Sequence, residues 1–350
     1  MTPERTSWCG ARVCVIGGTG FLGYQIVKEL VRLGAQVRVL ALPLTGTHPL
    51  LQTESVGCCF GDIRDKGLVA QALADREVVF HAAGEVALWG AARRRLHDVH
   101  TIGTENLLEC LRGDSRLVYT SSVVAVGASQ GRLLTESSSW NLERLRVDYV
   151  QAKRVAEEAM LRAAAAGRNI VVVNPSYLIG PEDFGPSVMG RFFVRFWKGR
   201  IPLAPCGGLN LVDVRDVAVG HLLAAERGRA GQRYILCGEN ITFVDLQYRM
   251  AQVAGLEPRI IKTIPPWMEW LLAAGAELRA RWRRREPYPC FQHVRLHRFT
   301  WFYDGQLARQ ELNFSARTLE ESLRDTYLWH FGQDPLRLRG FQRFWMRPGE

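Results

Sequence analysis

The sequence has no run of about 18 or more apolar residues, so it offers no candidate transmembrane helix. Its N-terminus, MTPERTSWCGAR, lacks the apolar core of a secretory signal, and a cytoplasmic location is expected. The eight cysteines are scattered, with no CxxC pair and no histidine spacing suited to a metal. That excludes a disulfide framework or a metal centre as an organising feature and leaves reduced thiols. Internal repeats and low-complexity tracts are also absent. Acidic residues are too few to balance the basic ones, leaving a formal charge of +10. Such an excess raises nucleic acid or an anionic membrane as partners. The arginines that carry it gather late in the chain, and no nucleic-acid motif accompanies them, so no nucleic-acid partner is expected.

What is present is an ordinary globular composition over 350 residues, 47% hydrophobic and 23% charged, which leaves room for a large domain plus a smaller lobe. The chain is organised around Val13 to Gly23, VCVIGGTGFLG. A short apolar run ends in Gly17, and glycine recurs at Gly20 and Gly23, flanking Phe21 and Leu22. Ile26, Val27, Leu30 and Leu33 then fall on one helical face. Strand, glycine-rich turn and helix together predict a dinucleotide site. Gly17 permits the turn, Gly20 lets backbone approach a pyrophosphate, and Gly23 lets the helix pack against the strand. The N–H groups and positive dipole end of the helix then face the phosphates.

Downstream, strands are predicted over 35–42, 56–61, 78–81, 116–120 and 169–173, the last broken at Pro175. Helices are predicted over 66–73, 94–111 and 145–166. This alternation implies right-handed crossovers and a parallel sheet covered on both faces. Gly17, Asp62, His81–Ala83, Ser121–Ser122 and Pro175 then fall at or just after strand ends along one edge, where such sheets bind ligands. From about Phe184, prolines and glycines interrupt the pattern, and shorter elements follow over 209–212, 214–225, 233–236, 243–254 and 267–284.

Tyr149 and Lys153, four apart in DYVQAK, share a helix face. An ammonium near a phenol lowers the phenol pKa toward a useful range for proton transfer. Ser121 and Ser122, at a strand end, supply a hydroxyl to hold a substrate oxygen.

GGTGFLG, GDIRD, HAA, GTENLLE, YTSS and YVQAK occur in order at the spacing of the extended short-chain dehydrogenase/reductase family. NPSYLIGPEDF, LNLVDVRDVAVGHLLA, RYILCGEN and the stretch up to Trp329 resemble it too, so the likeness covers nearly the whole chain. Within the family it looks most like the branch of hopanoid-associated sugar epimerases and dihydroflavonol-4-reductase-like proteins, with 3β-hydroxysteroid dehydrogenases as neighbours. The resemblance implies an α/β Rossmann domain, a doubly wound parallel sheet, over 10–180. It implies a mixed substrate lobe over 181–335, with some segments returning to the sheet, and leaves a basic tail over 336–350. It implies NAD or NADP as cofactor. Gly17, Gly20, Phe21, Leu22 and Gly23 would bind the pyrophosphate, and Asp62 and Ile63 would sit at the adenine. Ala82 and Ala83 would line the path to the ribose, with Pro175 and Ser176 near the nicotinamide amide. Ser122, or its neighbour Ser121, would orient the reacting oxygen; Tyr149 would transfer the proton; Lys153 would hold the ribose and tune Tyr149. Relatives often dimerise through the helix bearing Tyr149.

Three positions depart from the family pattern. His100 replaces the usual Asn before GT and serves either as a proton relay or as a structural residue. Leu40, Ala41 and Leu42 end the second strand where relatives carry an acid for NAD or an arginine for NADP, and Arg38 lies too early. Val126 replaces an aromatic residue, which weakens the case for a nucleotide sugar. The expected activity is hydride transfer between nicotinamide and a secondary alcohol or ketone of a lipid, steroid, isoprenoid or flavonoid-like substrate. A sugar epimerase with retained NAD is the alternative. A nucleotide-sensing binding protein is the alternative of another class, and the intact Ser, Tyr and Lys argue against it. Tyr177, Phe184, Met189, Phe192, Phe193 and Trp197 are bulky lobe residues expected either to touch an apolar substrate or to form lobe core. In 267–298, Trp267, Trp270, Leu271, Leu278 and Trp282 are expected on one apolar side, next to a basic run from Arg279 to Arg298 with seven arginines and one acid, Glu286. That stretch is read either as a peripheral membrane contact or as a helix with a solvated basic face.

Overall fold

Short runs rich in valine and isoleucine become strands buried on both faces, as a helix-covered parallel sheet requires. Every residue of Ile170–Pro175, for example, is buried. The computed structural model describes residues 3, 5–43, 48–52, 55–90, 92–201, 203–256, 262–283 and 286–332. The expected basic tail over 336–350 lies outside them. In chain order the elements are α1 (Arg5–Trp8), β1 (Arg12–Ile16), α2 (Phe21–Arg32), β2 (Gln36–Ala41), β3 (Val56–Phe60), α3 (Lys66–Leu73), β4 (Val78–His81) and α4 (Ala92–Cys110). Then come β5 (Arg116–Thr120), α5 (Asp148–Ala165), β6 (Ile170–Pro175), β7 (Tyr177–Ile179), α6 (Val188–Trp197), β8 (Gly208–Asp213) and α7 (Val214–Arg227). The last are β9 (Arg233–Leu236), β10 (Glu239–Thr242), α8 (Phe243–Val253), α9 (Pro266–Arg283), α10 (Phe291–His297), β11 (Thr300–Trp301) and α11 (Leu319–Phe331).

Seven strands form a parallel sheet in the order β3-β2-β1-β4-β5-β6-β9. The order reverses between β1 and β4, and that switch point opens a crevice at the carboxyl edge. Gly17, Asp62, Ala82, Ser121 and Ser176 all follow strand ends on this edge. Arg233–Leu236, late in sequence, pairs with β6 as the seventh strand. A second, smaller sheet runs β10-β8-β11, with β7 also pairing β8.

Some sequence expectations move. The helix carrying Tyr149 starts at Asp148 and not at Leu145, because Val147 holds an extended backbone (φ −127°, ψ 109°). The sixth strand runs through Pro175, which pairs with Leu236 at the sheet's end. Phe192, Phe193 and Trp197 do not line the crevice. They are core, packed with residues such as Trp301, Leu323 and Tyr327. Phe184 is also away from the crevice, ringed by Tyr24, His48 and Trp329 at centroid distances of 5.3, 5.1 and 5.2 Å.

Candidate active site

The glycine turn brings two chain segments closer than a side chain would allow. Gly17 has φ +85°, and a Cβ there would lie 2.6 Å from Ala83 N, at the exit of β4. A Cβ on Gly23 would lie 2.0 Å from Gly17 O. The N-terminus of α2 therefore sits directly on the turn. No side chain caps the helix at Gly20, so its first N–H groups remain available to an anion.

A cavity of about 340 Å³ opens next to it. Phe21, Leu22 and Ala82 line one side, and Pro175 and Ser176 line another. Between them stand Ser121, Ser122, Tyr149 and Lys153. The rest of the lining is mainly apolar, with Val86, Leu88, Val188, Met189, Leu296 and Tyr177 alongside Ser187. Of the six bulky residues expected at the substrate, Tyr177 and Met189 are the two that line the cavity.

Ser122 caps a one-turn helix at 123–125, its Oγ accepting from Val124 N at 3.4 Å. Its carbonyl accepts from Asn174 Nδ2 at 3.0 Å. Ser121 Oγ is buried without a hydrogen-bond partner among the described residues. Such an orphan is unusual, and at a cavity wall it offers a donor to a ligand. Tyr149 stands in the first turn of α5, half-buried. Burial raises its pKa, and the Ser122 side chain pulls the other way. Its phenol thus stays protonated at neutral pH.

Lys153 Nζ donates to Thr120 O at 3.0 Å. Burial lowers the pKa of Lys153 to about 8, with Glu157 opposing. Between pH 8 and the ordinary lysine value the unfolded chain binds the extra proton, so this group's burial penalty is largest below pH 8 and fades as pH rises. A Lys153→Met variant should be stabilised relative to wild type at pH 7, with the difference shrinking by about 2 kcal/mol by pH 10. Chemical denaturation at the two pH values checks this; a pH-independent difference would contradict it.

Gly84 leaves room between Lys153 and His100: a Cβ there would lie 3.4 Å from Lys153 Nζ and 3.2 Å from His100 Cε1. His100 is buried, with Nε2 3.3 Å from Glu85 O and its ring 6.4 Å from that of Tyr149. Burial and Lys153 lower its pKa to about 3, so it is a neutral imidazole.

Gly17, Gly20, Gly23, Ala83, Asp62 and Ile63 are not part of the cavity lining. The glycines and Ala83 form the turn beside it. Asp62 and Ile63 follow β3, where Arg64 binds the Asp62 carboxylate (2.7 Å) and holds its pKa down. Arg38 is committed to the end of α3, donating to the carbonyls of Gln71, Ala72 and Ala74. At the end of β2, Leu40 and Ala41 are buried and Leu42 is exposed.

A buried network behind the site was missed. Asn174 Nδ2 bridges Ser122 O and Glu157 Oε2 (2.5 Å), and Arg233 Nη1 pairs with Glu157 Oε1 at 3.0 Å. It fixes the strand-end serine relative to α5. Its signal was present in the sequence, since Glu157 continues the four-residue spacing of Tyr149 and Lys153.

Residues 13–237 match the model of the NAD dependent epimerase/dehydratase family. A Synechocystis protein provisionally named a dihydroflavonol 4-reductase is 36% identical over 93% of this chain and 97% of its own length. The sterol demethylase protein B of Methylococcus capsulatus is 31% identical over 90% of this chain and 97% of its own. In fold, the chain superposes on Thermus thermophilus UDP-glucose 4-epimerase in complex with NAD with a TM-score of 0.71, at 22% identity, covering 92% of this chain and all of that one. A family match over most of the sheet, relatives aligned nearly end to end, and a glycine turn that fits a dinucleotide all agree. This chain belongs to the NAD-dependent epimerase/dehydratase family and is an NAD(P)-dependent enzyme of its oxidoreductase and epimerase kind.

Proposed function

We propose that the enzyme is a reductase or dehydrogenase that interconverts a ketone and a secondary alcohol on an apolar, polycyclic or isoprenoid-like substrate. One observation carries the reading: Ser122, Tyr149 and Lys153 share a cavity with a wall of aliphatic side chains. The residues fit NAD or NADP. The turn at Gly17, Gly20 and Gly23, with Phe21 and Leu22, would hold the pyrophosphate, and Asp62 and Ile63 the adenine end. Ala82, Ala83, Pro175 and Ser176 would flank the ribose and nicotinamide. Lys153, an ammonium at neutral pH, would donate to the ribose hydroxyls. A nicotinamide held there would supply the hydride for the reductive direction. Tyr149, held protonated by burial, donates its proton to the carbonyl oxygen, and Ser122 donates a hydrogen bond to the same oxygen.

The sterol and the dihydroflavonol in the relatives' names are both polycyclic, which suits this wall. A nucleotide sugar would place hydroxyls and phosphates against Val86, Leu88, Met189 and Leu296 with few partners. An epimerase would use the same serine, tyrosine and lysine, so the wall is what favours the reductase. The test is oxidation of NADH and NADPH by apolar cyclic ketones, run beside chromatographic detection of sugar-nucleotide epimerisation. We expect kcat/KM at least about 100-fold higher for an apolar ketone; turnover of sugar nucleotides alone would reverse the assignment.

A further inference from the structure

α9 (Pro266–Arg283) has one satisfied side and one that nothing among the described residues covers. Its inner side is short and polar-anchored. Ala273, Ala276 and Ala280 are buried, Glu269 Oε1 lies 2.5 Å from His297 Nδ1, and Glu277 Oε1 accepts from Phe291 N at 2.9 Å. Trp270, expected among the apolar residues of the outer side, turns inward instead and packs on Phe291 at 5.3 Å. Opposite, at 100° per residue, Trp267, Leu271, Leu278 and Trp282 fall within one narrow sector. They are 65%, 62%, 71% and 94% exposed, and Leu272 beside them is 50% exposed. A stripe of this size on a solvent face marks an interaction surface.

Charge indicates what covers it. Arg279 and Arg281 flank the stripe and Arg298 lies just past α10. All three are exposed, and none forms an ion pair among the described residues. The acid in that segment, Glu286, is already paired with Arg191 at 3.3 Å. At the foot of the same helix, Arg281 and Arg295 line a polar recess together with Glu277 and Trp89. Leu88 lines both this recess and the substrate cavity, and Leu296, next to Arg295, lines the cavity too. Tryptophan and leucine on one face with arginine at its edges is the pattern of a helix lying in a bilayer interface. No helix among the described residues is long and apolar enough to cross a membrane.

We propose that α9 docks flat on an anionic bilayer, with Trp267, Leu271, Leu278 and Trp282 in the acyl boundary and Arg279, Arg281 and Arg298 on the headgroups. This places the Leu88–Leu296 side of the substrate cavity at the membrane surface, where an apolar substrate resides. The docking is read without reference to turnover, so it stands or falls separately from the reductase assignment.

The experiment is sedimentation of the full chain with vesicles of phosphatidylglycerol and phosphatidylcholine, against vesicles of phosphatidylcholine alone. Binding should favour the anionic vesicles by about tenfold or more and weaken as salt is raised to about 0.5 M. The Leu278→Glu/Trp282→Glu variant should lose about tenfold or more in vesicle binding while its NAD(P)H binding stays unchanged. Binding that is absent, or indifferent to lipid charge, or retained by the variant, overturns the proposal. So does a vesicle-free dimer, seen by light scattering, that the variant converts to monomer, because the stripe would then cover a second copy.

Discussion

Replacing Tyr149 with phenylalanine is expected to lower kcat by about 10²- to 10⁴-fold, the usual contribution of a positioned proton donor. NAD(P)H affinity should change little, because the ring remains and only the hydroxyl is lost. Tyr149 stands in the first turn of α5, beside Ser122 and at the wall of the cavity. Its raised pKa sets the state of the phenol at neutral pH: a protonated phenol is ready to give a proton to a carbonyl oxygen, whereas the oxidative direction needs it deprotonated. Reduction should therefore persist at neutral pH, while alcohol oxidation should rise with pH toward and above the ordinary tyrosine range. A Tyr149→Phe variant with wild-type kcat would remove this residue from the proton transfer.

Replacing Gly23 with alanine is expected to cost about 1–3 kcal/mol of stability and to weaken NAD(P)H binding by about 100-fold. The new Cβ would meet Gly17 O at 2.0 Å, Gly17 C at 2.7 Å and Gly18 Cα at 3.0 Å. All three are backbone atoms of the turn, so no flexible side chain can move aside. α2 would have to shift away, although Ile26, Val27 and Leu30 hold it against the sheet with no exposed surface. The shift would carry Phe21 and Leu22 with it, and both line the cavity. Gly113 is the control, since a Cβ there meets nothing within 4 Å. Thermal unfolding and cofactor titration of both variants separate the outcomes. Equal behaviour of Gly23→Ala and Gly113→Ala would mean that the turn tolerates the separation and that the tight contact is not needed.

The parts of the fold that could be read in advance are those with local signals. Val78–His81, Arg116–Thr120 and Arg233–Leu236 are short apolar runs, and their bounds in the structure match the runs. Lys66–Leu73 follows Asp65, which caps it by accepting from Gly67 N and Leu68 N. The glycine turn carried its own geometry, because spacing and sterics act over a few residues. In the second sheet the expected element over 209–212 became β8 (Gly208–Asp213), while β7, β10 and β11 had no such signal. β11 is two residues long and exists through distant partners, Thr300 with Gly208 and Trp301 with Leu209.

The site divides in the same way. Four-residue spacing put Tyr149 and Lys153 on one face of α5. It could not show that Lys153 Nζ would be taken by Thr120 O, a carbonyl 33 residues earlier in sequence. The aromatic face of α6 was visible, but periodicity does not say whether such a face meets a cavity or a core. Tertiary packing decided that: Phe193 and Trp197 stack on each other at 5.5 Å beneath α11, where Tyr327 meets Trp197 at 5.1 Å. Glu157 was overlooked because a carboxylate on a helix usually faces water. Here Asn174 and Arg233 compensate its burial.

The most direct measurement is the mass of any nucleotide released when the freshly purified protein is denatured, before cofactor is added. A reductase exchanges its cofactor at every turnover, so the account predicts at most a trace of nucleotide, with NADH or NADPH then binding saturably to the recovered native protein. Stoichiometric NAD carried through purification would contradict it, because a closed redox cycle with a resident cofactor is the mark of the epimerase.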